Sequence, residues 1–157
     1  MAPPRIGWAV AASLIAAFAF TIFPLPTAIE PMRPDLVATT VIFWVVSMPS
    51  WVGIGIAWLC GIVLDTLTGA LLGEHAAALA LIAWIAFRFH RRIRVFPLWQ
   101  ETFAVFWLLC VYHLVLTWID GTVGRPLSAL QWLPVVTSVI IWPAWSHVLN
   151  MAVRRAR

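Results

Sequence analysis

The sequence predicts an all-α polytopic membrane protein, built as a bundle of six transmembrane helices. The 157 residues are 63% hydrophobic and only 10% charged, whereas soluble proteins carry about 25% charged residues. The repeated apolar runs are about 14 to 21 residues long, close to the roughly 20 helical residues that cross a bilayer core. Eleven tryptophans fit this class, because tryptophan collects at membrane interfaces. We expect a single integral membrane domain over residues 1–157.

The charged residues are distributed asymmetrically between alternate loops. All ten basic residues are arginines, and eight of them fall on the inner side if the N-terminus is cytoplasmic and six helices span. Five of the six acidic residues fall toward the outside. This positive-inside pattern predicts an N-in/C-in topology. The predicted topology anchors are Arg88, Arg91, Arg92, Arg94, Arg154 and Arg155. Because these arginines are explained as anchors and contacts of membrane lipids, we expect no nucleic acid partner.

The first two helices are predicted from apolar runs that end at proline. The first run covers residues 8–23 and stops at Pro24, because proline cannot continue the helical hydrogen-bond ladder. We expect a retained helix and not a signal peptide, since the apolar run is long for the hydrophobic region of a signal peptide. The second run, residues 36–48, is short and ends at Pro49. Asp35 lies just before it, near the positive end of the helix dipole.

The third run, residues 51–73, is the segment around which we expect the bundle to be arranged. Small residues recur in it every four positions, and such positions stack along one face of a helix. This face lets another helix approach closely in lipid, so we expect a helix-packing or partner seam. The seam contains Gly53, Ala57, Gly61, Asp65, Gly69 and Gly73. Because four-residue steps drift around a helix, the helix either meets two neighbours in succession or bends near Asp65.

The last three helices are predicted over residues 76–89, 100–119 and 132–151. Glu74 is expected at the N-terminus of the fourth helix, where the helix dipole favours a negative charge. Pro143 lies inside the sixth helix and predicts a kink, which a membrane helix tolerates when neighbouring groups satisfy the freed carbonyl.

Asp65 and His113 are ionisable residues that fall within predicted spans. Each lies about 13 residues from the inner end of its helix, which is about 20 Å of helical rise. We therefore expect them to meet as an intramembrane polar pair. The functional interpretation is a proton or substrate site. The structural interpretation is a polar clamp between helices, or an Asp65 that caps a turn near the outer surface. The structural one is favoured, because a proton relay would need more carboxylates along its path.

The sequence shows no pattern of catalytic or metal-ligating residues. Cys60 and Cys110 lie inside apolar runs, and Cys110 shares a helix face with His113. A metal site needs about four ligands, however, and there is no CxxC or HxxxH pair. There is also no phosphate-binding loop, GxSxG or HExxH motif. We therefore expect no enzyme activity, no cofactor and no metal.

Several short motifs follow one another along the chain in a specific order. They are Arg33-Pro34-Asp35, then Trp44, then Asp65, Gly69 and Gly73, then Trp99-Gln100, and finally Trp142-Pro143. In order and spacing they make the chain resemble the family of the bacterial rod shape-determining protein MreD over nearly its whole length. His113 is a departure, since some members are expected to carry an acid at this position.

The resemblance implies a non-catalytic inner-membrane subunit of the rod complex (elongasome). Such a subunit would bind MreC and help couple MreB to peptidoglycan synthesis, and so act in cell-shape maintenance. The further implied partners are RodA and its penicillin-binding transpeptidase, with MreB reached indirectly. The family is similar in fold to the six-helix substrate-binding subunits of energy-coupling-factor transporters. The implied location is the bacterial inner (cytoplasmic) membrane, crossed several times.

The same similarity supplies an alternative, a small-molecule (vitamin-type) binding membrane subunit of a transporter. Such a subunit needs an outward-facing pocket in which polar and aromatic side chains converge. A scaffold needs exposed small-residue seams and an apolar groove at a protein contact. Few outer-loop polar groups and a conspicuous seam favour the scaffold. A third class, a proton-coupled transporter, would lose activity in Asp65→Asn with its assembly intact.

Overall fold

The structure is a computed structural model that describes residues 4–126 and 128–156. Within these residues it is all-helical, with six α-helices, two short 3-10 helices and no strand. The all-α class and the number of helices are therefore confirmed. The α-helices are α1 Pro4–Ile22, α2 Leu36–Ser47, α3 Ile54–Thr68, α4 Glu74–Ile93, α5 Leu98–Val123 and α6 Leu133–Ala156. The 3-10 helices are Glu30–Met32 and Ala129–Trp132.

Helix ends that depend on proline or on a charge at a helix terminus lie where the sequence predicts them. The first two helices end just before Pro24 and Pro49, and Glu74 is the first residue of α4. The fourth helix is longer than predicted and continues to Ile93. Its last turn is basic, and positive charge stabilises the negative end of a helix dipole.

The predicted ends of the third and fifth helices are wrong, and glycine sets both of the real ends. α3 stops at Thr68, because Gly69 adopts a left-handed conformation with φ of 67°. α5 passes through Asp120 and stops only before Gly124, which has φ of 76°. Glycine adopts this conformation without a steric penalty and often ends helices for that reason.

α2 is the centre of the bundle, although the sequence favours the third helix for this position. Every residue from Leu36 to Val46 is buried, and α2 packs against α1, α4, α5 and α6. Two hydrogen bonds from indole N–H groups join α2 to α1 and α6 within the core. Trp44 donates a hydrogen bond to the Ser13 hydroxyl on α1 at 2.8 Å, and Trp145 on α6 donates one to the Thr40 hydroxyl at 3.0 Å. A helix that is apolar all round is stable when it is surrounded by protein or lipid.

α3 packs most extensively against α4, and the closest approach is at Gly61. A Cβ atom at Gly61 would lie 2.2 Å from the Cα atom of Ala76 and 2.5 Å from its nitrogen. The two helix backbones are therefore in direct contact, and only glycine leaves the space. Ala57 and Asp65 lie buried on the same side of α3.

The expected six-residue seam is wrong in its extent. Gly53 precedes α3, Gly69 ends it, and Gly73 lies in the turn before α4 with φ of 101°. A Cβ atom at any of these three glycines would have no atom within 4 Å among the described residues. Gly69 and Gly73 therefore serve backbone conformation and not helix packing, and Gly53 has an extended conformation that any residue can adopt. The observed contact with α4 of the same chain is made by Gly61 and Asp65, and Ala57 lies buried on the same side of α3.

The two ends of the bundle differ in charge. At one end α1, α3 and α5 finish and α2, α4 and α6 begin, and we call it the acidic end. It carries Glu30, Asp35, Asp65, Glu74 and Asp120. The opposite end, the basic end, carries the six predicted topology anchors, all of which are exposed. The contrast in charge that the sequence predicts is present between the ends of the folded bundle.

The helices differ in whether they are long enough to cross a membrane. Within the described residues, two segments are long and apolar enough to cross a membrane by length and composition, Leu98–Val123 and Ala129–Ala156. Two shorter apolar helices are Ile6–Ile22 and Ile54–Thr68. The sequence predicts six spans, but α2 has only 12 residues. A helix of that length is about 18 Å long, against about 30 Å of hydrocarbon.

We expect the substitutions Gly61→Ala and Gly55→Ala to act in opposite directions, although both place alanine in α3. At Gly61 the new Cβ atom would overlap Ala76, so the two helices would have to separate. We expect this to lower the free energy of unfolding by about 1 to 3 kcal/mol. At Gly55 the space is open, and alanine should stabilise the helix by up to about 1 kcal/mol. Thermal unfolding of both variants in one detergent measures the difference. Equal midpoints would contradict the close contact.

Candidate functional site

Asp65 caps the turn between α3 and α4. Its side chain is fully buried, one turn before the end of α3. One carboxylate oxygen accepts a hydrogen bond from the backbone N–H of Gly73 at 2.7 Å, and the other accepts one from the backbone N–H of His75 at 2.8 Å. The first N–H groups of a helix have no partner within that helix. Asp65 supplies acceptors for two of them at the start of α4, and its negative charge lies at the positive end of that helix.

His75 completes this contact with its ring. The Nδ1 atom lies 2.9 Å from the carboxylate oxygen of Asp65 that also accepts the His75 backbone N–H. Because a carboxylate only accepts hydrogen bonds, Nδ1 carries the hydrogen in this contact. The ring is packed near Tyr112 on α5, with 6.2 Å between the ring centroids. His75 therefore joins the α3–α4 turn to α5.

A second carboxylate and histidine meet nearby, between the start of α2 and α5. The Nε2 atom of His113 lies 3.3 Å from Oδ2 of Asp35, but Oδ2 is buried and no hydrogen bond reaches it from the described residues. The other ring nitrogen of His113 lies 3.2 Å from the carbonyl oxygen of Leu109 and donates to it. The backbone N–H of Asp35 donates to the Ser138 hydroxyl on α6 at 2.8 Å.

The Asp35 carboxyl group is subject to opposing electrostatic effects. Burial raises the pKa of this carboxyl group, while the nearby His113 and, to a smaller extent, His75 act in the opposite direction. The side chain keeps 28% of its surface exposed, and Asp35 lines a cavity. A positive group that enters this cavity would therefore find a carboxyl group with unused acceptor capacity.

The predicted pairing of Asp65 with His113 is wrong. Asp65 contacts His75, and His113 contacts Asp35. The prediction assumed that the third helix continues to Gly73, which would carry Asp65 deep into the bundle. Because α3 ends at Thr68, the first turn of α4 folds over Asp65 instead. The hydrogen bonds of Asp65 are those of the structural interpretation, a cap on a turn.

Arg33 holds the end of α1. Its guanidinium donates hydrogen bonds to the backbone carbonyls of Thr21 and Phe23, the latter at 2.7 Å. The last carbonyls of a helix have no partner within it. Arg33 therefore caps the C-terminal end of α1, although it lies twelve residues after Thr21 in the sequence. Its Nε atom is buried and makes no hydrogen bond within the described residues.

Arg125 joins two acidic residues at the same end of the bundle. Its Nη1 atom lies 2.7 Å from Asp120 and 3.0 Å from Glu74, whose side chain is almost completely buried. These hydrogen bonds, the one to Asp120 first, raise the pKa of the Arg125 guanidinium. The contact attaches the segment after α5 to the start of α4.

A cavity of about 480 Å³ opens between these groups. Its walls come from the end of α1, the 3-10 helix Glu30–Met32, α2, α3, α4 and α5. Apolar side chains of α2 and α3 form part of the wall. The polar lining consists of Thr21, Glu30, Arg33, Asp35, Thr68, His75 and Tyr112. Sites for small molecules commonly have volumes of about 300 to 1,000 Å³ and a few convergent polar groups.

The remaining motif residues do not converge on this cavity. Trp99 and Gln100 lie in the first turn of α5 at the basic end, and Trp99 is 71% exposed. Trp142 is buried against Phe43 of α2, with 6.5 Å between the ring centroids. Pro143 follows it inside α6, which is continuous through the proline. Only Arg33, Pro34 and Asp35 of the motif residues line the cavity.

Sequence reasoning missed His75 and Tyr112 as site residues. His75 follows Glu74 and Tyr112 precedes His113, but neither has a local pattern that marks it. The two glycines at positions 69 and 73 are the signal that could have identified His75. If both glycines are turn residues, the chain reverses after α3, and the start of α4 lies against Asp65.

We expect Asp65→Asn to destabilise the protein clearly more than Asp120→Asn does. An amide nitrogen cannot accept a hydrogen bond, so one of the backbone N–H groups that Asp65 caps would lose its acceptor. The expected loss in free energy of unfolding is about 1 to 3 kcal/mol. In the control, Asp120→Asn weakens a pair with the partly exposed Arg125, for which we expect a much smaller loss because solvent screens such pairs. Equal unfolding midpoints for the two variants would contradict the capping role.

Comparison with known proteins gives a consistent result. The family model described as rod shape-determining protein MreD matches residues 5–152. The rod shape-determining protein MreD of Haemophilus influenzae is 24% identical over 144 residues, which cover 90% of this chain and 87% of that protein. No solved structure matches the chain. Since the family model covers almost the whole chain, the protein belongs to the MreD family of rod shape-determining proteins.

Proposed function

We propose that this protein is a non-catalytic subunit of the rod complex (elongasome) in the bacterial inner membrane. In this proposal it binds MreC and acts as a scaffold that helps couple MreB to peptidoglycan synthesis, in cell-shape maintenance. RodA and its penicillin-binding transpeptidase are the further partners, and MreB is reached indirectly. The observation that carries the proposal is the family match over residues 5–152.

The surface of the bundle is suited to lipid and to partner helices. Large apolar side chains are exposed along the helices, among them Trp58, Leu59, Trp84, Trp107, Trp118 and Ile140. A shallow apolar groove of about 330 Å³ lies between α4 and α5. Exposed apolar surface of this extent marks a membrane or protein contact. Both contacts are required of a membrane scaffold.

We further propose that the chain is one integral membrane domain with six spans and an N-in/C-in topology. The exposed arginines of the basic end support this orientation, because arginine is retained on the cytoplasmic side. The short helices would require local thinning of the bilayer, which costs a fraction of a kcal/mol per ångström of mismatch. The fold proposed for the six spans is that of the substrate-binding subunits of energy-coupling-factor transporters.

One observation favours the alternative function, a small-molecule (vitamin-type) binding subunit. The acidic end carries a cavity with convergent polar and aromatic groups, and the sequence alone had not suggested it. The family match over residues 5–152 favours the scaffold over this alternative.

Depletion of the protein from its native rod-shaped host separates the two functions. In fully supplemented medium we expect the cells to widen and become round, because a scaffold of the rod complex is needed whatever nutrients are supplied. Cell width and length, measured by microscopy through successive divisions, give the result. Cells that keep their shape, but stop growing when one vitamin is withdrawn, would contradict the scaffold and support the alternative.

Binding to MreC is tested by purification of the tagged protein from membranes. We expect MreC to copurify with it at a fixed ratio. An unrelated six-helix membrane protein with the same tag, expressed at the same level, is the matched control. Equal amounts of MreC with both tagged proteins would contradict the proposed contact.

A further inference from the structure

The cavity at the acidic end has the features of a binding site that the scaffold function does not use. Its polar lining residues come from distant parts of the chain, from Glu30 in the 3-10 helix to Tyr112 on α5. Apolar side chains such as Val37, Leu64 and Leu67 form the wall between them. A cavity of this size and mixed lining is typical of sites that hold a small organic group.

The charges in the cavity favour a positive ligand. Two carboxyl groups line it, those of Glu30 and Asp35, against the single guanidinium of Arg33. Both Nη atoms of Arg33 donate to the carbonyls at the end of α1, and its Nε atom is buried, although it makes no hydrogen bond within the described residues. By contrast, no side chain of the described residues donates a well-aligned hydrogen bond to Asp35. The cavity therefore offers acceptors, and a cationic donor would use them.

A bare metal ion fits the cavity poorly. No group of three or more His, Cys, Asp or Glu side chains is placed to hold a metal within residues 4–126 and 128–156. An ammonium group fits better, because its three N–H donors need only hydrogen-bond acceptors. Tyr112 also lines the cavity, and a phenol oxygen can accept a hydrogen bond from an ammonium group.

We propose that this cavity binds an ammonium group, held chiefly by the Asp35 carboxylate with Glu30 as the second carboxylate. The group could be supplied by a free primary amine or by the headgroup of an aminophospholipid, since both present the same R–NH₃⁺ donor. The apolar wall would contact the carbon atoms next to the ammonium group. This site is independent of the contact with MreC, so either proposal can fail alone.

Binding of a cation at Asp35 depends on pH with a defined sign. The titratable groups around it are Glu30 and Arg33 on its own segment, Asp65 on α3, His75 on α4, and Tyr112 and His113 on α5. Burial raises the pKa of Asp35, so a proton occupies this carboxyl group as the pH falls and competes with the ammonium. Affinity is therefore highest at mildly alkaline pH and is lost toward acid.

Ethanolamine and ethylene glycol are the matched probes, since they differ in the ammonium group and have similar size. We expect ethanolamine to raise the unfolding temperature of the full chain in detergent at pH 8, in a saturable way and at constant ionic strength. Ethylene glycol at the same concentration should have no such effect. The ethanolamine effect should diminish as the pH is lowered to 5. An equal effect of both probes, or an effect of ethanolamine that grows toward acid, would overturn the proposal.

Three variants locate the site. Asp35→Asn removes a charged partner and should weaken ethanolamine binding about tenfold or more. Glu30→Gln should weaken it about two- to fivefold, and because Glu30 is exposed, this variant tests the site even if Asp35→Asn does not fold. Asp120→Asn removes a carboxylate outside the cavity and should leave the affinity unchanged. Equal affinity of wild type, Asp35→Asn and Glu30→Gln would overturn the proposal.

Lipid nanodiscs distinguish the two sources of the ammonium group. If the source is a headgroup, phosphatidylethanolamine in phosphatidylglycerol nanodiscs should stabilise the wild type but not Asp35→Asn, and added ethanolamine should then have little further effect. If the source is a free amine, the lipid should have no effect and ethanolamine should keep its full effect. Both results support an ammonium site. Stabilisation by phosphatidylethanolamine that is the same in Asp35→Asn and Glu30→Gln, with no effect of ethanolamine, would overturn it.

Discussion

The hydrogen bonds of the buried Asp65 carboxylate determine how one half of the bundle is arranged. A buried carboxylate destabilises a protein unless hydrogen bonds replace the water that it loses. Here the replacements are two backbone N–H groups and a ring nitrogen, supplied by Gly73 and His75. They reach Asp65 only because the chain reverses within a few residues of Gly69. The tight reversal brings α4 back along α3, and Gly61 then permits the two backbones to touch.

The position of α4 in turn determines the polar groups of the acidic end. Because the first turn of α4 folds over Asp65, the side chains of its first two residues, Glu74 and His75, have fixed neighbours. Glu74 lies at the Arg125 guanidinium, which attaches the segment after α5. His75 lines the cavity next to Tyr112. The cavity wall, the ion pair and the helix contact therefore have one common origin in the α3–α4 turn.

The class, the six helices and the ends at proline could be predicted from the sequence, because they depend on composition and on local backbone chemistry. The end of α3 could not, since glycines at four-residue spacing suit a helix seam and also a pair of left-handed turn residues. The contact between Asp65 and His75 depends on where α3 ends, so it could not be predicted either. The central position of α2 was missed for another reason. In an apolar sequence, hydrophobicity alone does not separate a helix buried in protein from one that faces lipid.

The tripeptide Arg33-Pro34-Asp35 shows how a short motif can serve packing and a site together. The residue before proline is restricted to extended backbone, and Arg33 has φ of −61° and ψ of 120°. This conformation turns the chain out of the preceding 3-10 helix, while the Arg33 side chain reaches back to α1. The Asp35 N–H then binds Ser138 on α6, and its carboxyl group remains at the cavity. Three helices thus meet at these residues, and the acceptor proposed for the ammonium group is held in place by the contacts that join them.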